Sequence, residues 1–164
     1  MHVSNELLVK MVLDAWTKEL NAASALLDKL SDEQVMREVA PARNRGIYLV
    51  GHLIAEHDAM MPLLRFQPAL HPELKPMFID APDRAIAELP AMHQLREQWK
   101  TVHDTLMEHI GRLPTEEWFT RHANISTEDF PKEPHRNRLN VLLSRTNHLA
   151  YHRGQLALLA GKLQ

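Results

Sequence analysis

Cysteine is absent from this 164-residue chain, which excludes disulfides, cysteine nucleophiles and zinc–thiolate sites together. Glycine is scarce, with five residues in all, and the long stretches between breakers suit helices. Basic charge is not in excess. The formal net charge is -2, so no broad positive field points to nucleic acid. No apolar run approaches the roughly 18 residues of a membrane-spanning helix. The opening residues Met1 to Glu6 lack the basic-then-apolar order of a secretion signal. The expected location is the cytoplasm, with neither nucleic acid nor membrane as a partner. Alternating strand patterns are almost missing and no internal repeat is visible.

The length suits one domain spanning residues 1–164 around a single core. Periodicity predicts four long helices. The first runs from Ser4 to Leu30, with Leu8, Val12, Ala15, Ala22, Leu26 and Leu30 as its apolar face. Ser31-Asp32-Glu33-Gln34 has capping-box form and starts a short extra turn. The second helix runs from a cap at Asn44 to Arg65 with a stripe of Leu49, Leu53, Met60, Leu63 and Leu64, and Pro62 bends or ends it. Pro68, Pro72, Pro76 and Pro82 make residues 66–83 an extended crossover without regular helix. The third helix starts near Ala85 or Ala91 and ends at Arg112, with Leu95, Trp99, Val102, Leu106, Ile110 and Leu113 in a three-four repeat. Pro114-Thr115-Glu116-Glu117 opens a short turn ending at Trp118-Phe119. Residues 120–137 read as irregular, with room for a short hairpin, and the fourth helix runs from Arg138 to Leu163. The expected fold is all-α, a four-helix bundle with long crossover loops that can cover one end as a site mouth.

What the chain has in excess is histidine, eleven residues. His148 and His152 lie one turn apart on the fourth helix, a spacing that lets two imidazoles bind one metal. Chance alone supplies about 0.7 such pairs in a chain this rich in histidine, so the spacing decides little. Their position says more. With His148 at zero on a helical wheel, His152 lies at ~40°, Val141 and Leu159 at ~20°, and Leu163 at ~60°. Leu156 follows at ~80°, Leu149 at ~100°, and Leu142 and Ala160 at ~120°. The pair sits inside the apolar arc, where its ring nitrogens need partners. A shared metal meets that need; hydrogen bonds within the core, or an arc edge open to water, meet it too. His52 flanks the apolar stripe of the second helix in the same way. Glu56 follows one turn later and Arg145 faces inward, ~60° from His148. Glu56 reads as a fourth ligand, a general base, an acceptor for a ligand imidazole, or simply the partner of Arg145 in a buried ion pair.

Gly51-His52-Leu53-Ile54-Ala55-Glu56-His57, followed by Asn147-His148-Leu149-Ala150-Tyr151-His152-Arg153-Gly154-Gln155-Leu156, resembles the DinB-like (DinB/YfiT) superfamily. The terminal Asn-His-x-x-x-His-Arg-Gly-Gln is the specific part, and the likeness runs through the chain in helix order. The resemblance implies a four-helix bundle, usually dimeric, with His52, His148 and His152 as ligands of one divalent ion: nickel, zinc, manganese or iron. It also implies activities such as transfer of a low-molecular-weight thiol (bacillithiol or mycothiol), mycothiol-dependent isomerisation, or metal-dependent hydrolysis. The family commonly carries an acidic residue five positions after the helix-two histidine. Here that position is His57, and the acid is Glu56.

Three neutral imidazoles leave coordination positions open, as a catalytic metal requires. The first expectation is therefore a metal-dependent enzyme acting on a small molecule, a thiol S-transferase first and a hydrolase second. Glu56 is the candidate catalytic residue and Arg145 the candidate substrate-binding residue. Arg43, Arg45, Arg136 and Arg138, in loops beside helices two and four, can hold substrate carboxylates or stand simply as solvated arginines. The alternative is a non-catalytic helical module with a structural or vestigial metal site. Ala150, Gly154, Ala157 and Gly161, flanked by Leu143, Tyr151 and Leu158, form a small-residue stripe away from the histidines and are read as a homodimer contact.

Overall fold

A computed structural model of the chain describes residues 4–161. The helices are α1 (Asn5–Lys29), α2 (Asp32–Val35), α3 (Gly46–Asp58), α4 (Met60–Leu63), α5 (Leu74–Phe78), α6 (Met92–Arg112) and α7 (Arg138–Ala157), with 3-10 turns at Thr115–Phe119, Phe130–Lys132 and Leu158–Ala160. The fold is all-α. Strand-type pairing is limited, among the described residues, to the isolated bridges Glu38–Arg45 and Arg121–Asn137. The second bridge is all that forms of the expected hairpin.

Four helices make the bundle. α1 and α7 run in one direction, tied by Arg153 to Glu19 (2.8 Å), and just beyond their C-terminal ends Arg37 donates to the Leu159 carbonyl (2.8 Å). α3 and α6 run the other way. Trp99 Nε1–H donates to Ser24 Oγ at 2.9 Å, and Arg96 donates to the carbonyls of Leu27 and Leu30 at the end of α1. That guanidinium satisfies carbonyls which a helix C-terminus leaves unpaired. α3 is wrapped by α5, α6 and α7 and is buried on most sides. Local chemistry sets the other boundaries. Ser4 caps α1 through Leu7 N–H, and Ser31 with Gln34 forms the expected capping box. Pro62 lacks the N–H that would reach the Asp58 carbonyl, and the helix passes through a break at Ala59 into the single turn of α4.

Several expectations shift. The buried face of α1 is Val9, Trp16, Leu20, Ala23 and Leu27, one residue on from the expected stripe. Leu8 and Ala15 are exposed, and only Leu30 is common to both faces. The indole of Trp16, fully buried, turns the helix about 100° from the aliphatic reading, the step between successive residues. Arg45, not Asn44, precedes α3, with no side-chain cap, and Leu63 is only half-buried. The crossover contains a regular turn after all. α5 tolerates Pro76 in its first turn, where an N–H has no helical partner, and its Leu74 and Phe78 are fully buried. On the last helix Leu142, Leu149, Leu156 and Leu159 are buried as expected, but Ala160 is exposed. Leu163 lies outside the described residues.

Candidate metal centre

α3 and α7 face each other in opposite directions, which sets His52 against His148 and His152. Nε2 of His148 lies 3.2 Å from Nε2 of His52 and 3.0 Å from Nε2 of His152. All three ligand nitrogens fall within 4.8 Å of one another, and the rings are half-buried.

The outer nitrogens explain why the inner ones meet. His52 Nδ1 lies 2.7 Å from the Phe78 carbonyl. A carbonyl only accepts, so Nδ1 carries the proton and the neutral ring presents a bare Nε2. His152 Nδ1 lies 2.7 Å from Gln155 Oε1, while the Gln155 amide nitrogen donates to the Tyr151 hydroxyl at 3.3 Å. His152 Nε2 is thereby bare too. Tyr48, one turn before His52, stacks on its ring at 6.2 Å and donates its hydroxyl to the Ala81 carbonyl at 2.8 Å. The third ring is held differently, because His148 Nδ1 is buried with no partner.

With neutral rings at most one of the two Nε2–Nε2 contacts can be a hydrogen bond, since His148 Nε2 has a single proton to give. The other leaves a bare nitrogen facing an atom with no second proton to give, and with the His148 proton on Nδ1 both contacts set lone pair against lone pair. A cation between the three nitrogens removes that conflict. Bonds of about 2.0–2.1 Å to nitrogen put ligand atoms roughly 2.8–3.4 Å apart for angles between square and tetrahedral, which accommodates the separations of 3.2 and 3.0 Å. Ring protonation is also disfavoured. Burial first, then the neighbouring His152 and His52, push the His148 pKa down to about 4. Burial likewise lowers that of His152, against a smaller raising effect of Gln155. The residues present fit a divalent ion, and the three-histidine group could bind one.

Phe78 reaches His52 because of a glycine. A Cβ on Gly51 would lie 2.3 to 2.5 Å from three atoms of the Phe78 ring. Only a hydrogen there lets α5 settle onto α3 and bring its last carbonyl to the imidazole.

Glu56 is not part of the nitrogen group. Its Oε2 pairs with Arg145 at 2.8 Å, one turn along α3 and α7 from the histidines, in a half-buried ion pair. His57, at the position where an acid was expected, turns the other way. It is fully buried, and its Nδ1–H donates to His103 Nε2 at 2.7 Å. His103 in turn gives its Nδ1–H to the Trp99 carbonyl at 2.7 Å. Burial lowers the pKa of both, that of His103 to about 4. The two imidazoles form a hydrogen-bonded core pair against Trp16 and Trp99.

Cavities flank the centre along α7. One, of about 270 Å³, is bounded by Arg43, Asn44, Tyr151, His152 and Gln155. The other, of about 390 Å³, takes its wall from Arg136 and Arg145. The remaining loop arginines are committed to structure. Arg45 clasps Asp83 (2.7 and 3.1 Å), and Arg138, buried, pairs with Glu117 at 3.2 Å. Sequence reasoning assigned no role to Gln155, although its place one turn after His152 was a usable signal. The Phe78 carbonyl carries no side-chain signal at all.

The sequence model of the DinB superfamily matches residues 15–156. A search of curated proteins finds no match.

Proposed function

The chain belongs to the DinB superfamily, and from that premise we propose that it is a metal-dependent enzyme in which His52, His148 and His152 hold one divalent ion. The carrying observation is the meeting of three Nε2 atoms, two of them bared by acceptors on the far side of the ring. Such outer partners fix tautomer and orientation in metal-binding histidines. Of the four candidate ions, nickel, zinc and iron suit imidazole donors, and manganese favours oxygen donors.

The preferred reaction is S-transfer of a low-molecular-weight thiol to an electrophile, with metal-assisted hydrolysis second. Bound there, a divalent ion supplies Lewis acidity that lowers the pKa of a thiol or water. The protein's own groups do the rest. Glu56 belongs to Arg145 rather than to the nitrogen set, so three protein ligands leave room for a reactant, in line with a catalytic rather than a closed structural site. In this reading Glu56 accepts a proton from the reacting group, and its ion pair with Arg145 holds the carboxylate in position. Arg145 also lines the larger cavity and is the proposed contact for substrate. Tyr151 and Arg43 border the other approach.

The exposed stripe on α7 suits a homodimer contact within a single-domain protein. Leu143, Tyr151 and Leu158 are exposed, and Gly154 has open space around it. Sedimentation at micromolar concentration is expected to give twice the chain mass, and a monomer there removes the dimer. No helix among the described residues is long and apolar enough to cross a membrane.

The test of the central reading is elemental analysis of protein purified without a metal column, followed by a screen of thiols against electrophiles and of ester and amide substrates. Near-stoichiometric metal and thiol- or water-dependent turnover that disappears on chelation are expected. Trace metal that His148→Ala leaves unchanged would defeat the proposal.

A further inference from the structure

The cavity beyond the Glu56–Arg145 pair has a chemistry that the metal centre does not use. Leu63 and Val141 form part of its wall, and its polar groups are Arg136, Arg145, His122 and His135 with the shorter Asn140 and Ser144. Among the described residues no acidic side chain lines it. Ser144 and Arg145 lie one turn of α7 before His148, which puts this wall of the cavity one turn from the nearest histidine of the group.

Its basic groups are held in place with donors to spare. Arg136 is braced by Glu133 Oε2 at 3.0 Å and by the Asn124 carbonyl at 2.9 Å. Arg145 is braced by Glu56 at 2.8 Å through one terminal nitrogen; its Nε–H is buried, so the donors it has to spare are on the terminal nitrogens. A guanidinium carries five N–H donors, and each of these uses only part of its set. His122 Nδ1 accepts from the Asn124 N–H at 3.1 Å, so the neutral ring carries its proton on Nε2, a further donor. Burial and then the nearby Arg136 lower the His122 pKa. Two fixed guanidiniums with supporting N–H groups match the paired oxygens of a carboxylate, which accept in forked geometry. About 390 Å³ is room for a small molecule.

We infer that this cavity seats a carboxylate of the reactants, between Arg136 and Arg145 and one helical turn from His148. The class of ligand is thus a small anionic carboxylate. It is either the electrophile itself or the carboxylate arm of the thiol. The role in turnover rests on the metal-dependent reading above, but the binding does not require the ion.

The test is calorimetric titration of the full chain, metal-loaded and metal-free, with succinate, with S-methylglutathione as the thiol-derived arm, and with neutral succinamide. Elemental analysis of the same samples reports on the metal separately. At least one carboxylate is expected to bind with and without metal, while succinamide does not. Arg136→Gln is expected to weaken it about tenfold or more, the worth of a charge-assisted contact, with an unchanged melting temperature because Arg136 is half-exposed. Arg145→Lys, which keeps the charge and loses the fork, gives an intermediate loss. The arm that responds to Arg136→Gln identifies the source of the carboxylate. Equal binding of succinate and succinamide overturns the inference, as does affinity unchanged in Arg136→Gln. Carboxylate binding that vanishes on metal removal also overturns it, by placing the anion on the ion instead.

Discussion

At the residue scale the centre is a problem of proton placement. His52 and His152 each spend their only proton outward, on Phe78 and Gln155, and turn bare nitrogens toward His148. His148→Ala removes the shared nitrogen, and two remaining imidazoles are too few for a stable site. Bound metal is expected to fall from about one per chain to below about 0.1, measured by elemental analysis. Gln155→Leu leaves all three ligands but loses the acceptor that fixes His152. It should weaken metal affinity about 10- to 100-fold in a chelator-competition titration with little change in melting temperature. The His57–His103 pair makes a prediction about pH. Both pKa values are lowered by folding, so the unfolded chain binds more protons below the ordinary histidine range. Stability is fully present above about pH 6.5 and is lost as pH falls toward 4. In metal-free protein, His103 alone should cost about 2 kcal/mol between roughly pH 7.5 and pH 5, at about 1.4 kcal/mol per pKa unit. Urea midpoints check this, and a His57→Leu/His103→Leu double variant should show a flatter profile. An equal slope in that variant would locate the acid sensitivity elsewhere.

At the scale of elements, the site depends on a helix that proline content argued against. α5 is five residues long, too short to stand alone, and it exists because Leu74 and Phe78 bury completely against α3. The fit is close enough that Gly51→Ala should lower stability by about 1–3 kcal/mol, the usual penalty for overpacking. It should also reduce metal affinity by displacing the Phe78 carbonyl. Thermal melts and chelator competition on the same samples read the two effects. Retention of wild-type stability and affinity would mean that α5 repacks without cost. α1 teaches the converse. Two apolar stripes one residue apart compete for its inner face, and a single buried tryptophan decides between them.

At the scale of the whole molecule, the ion is expected to act as a clamp between α3 and α7, which otherwise meet through the Glu56–Arg145 pair and apolar contacts. Metal at about 100 times its dissociation constant adds roughly 2.7 kcal/mol of stability. Stripping it with chelator should therefore lower the melting temperature by about 5–10 °C for a chain of this size. No shift would mean that the centre is not filled in the purified protein.

The sequence by itself determined the helices of the bundle, their approximate limits and the three histidines. Helical periodicity is a local property, and the Asn147 to Gln155 motif lies within one element. It also determined that Glu56 and Arg145 face the same interior, because each shares a face with a histidine of the three-nitrogen group. Only tertiary structure decided that these two pair with each other, that His57 leaves the site for His103 forty-six positions away, and that Arg45 and Arg138 are spent on Asp83 and Glu117. It alone set the Phe78 carbonyl against His52. Each of these outcomes joins segments distant in the chain, and several candidate partners of equal chemistry were open to every one of those side chains. Which partner wins is fixed by distance in the packed bundle, and distance between helices is not a property that spacing along one helix records.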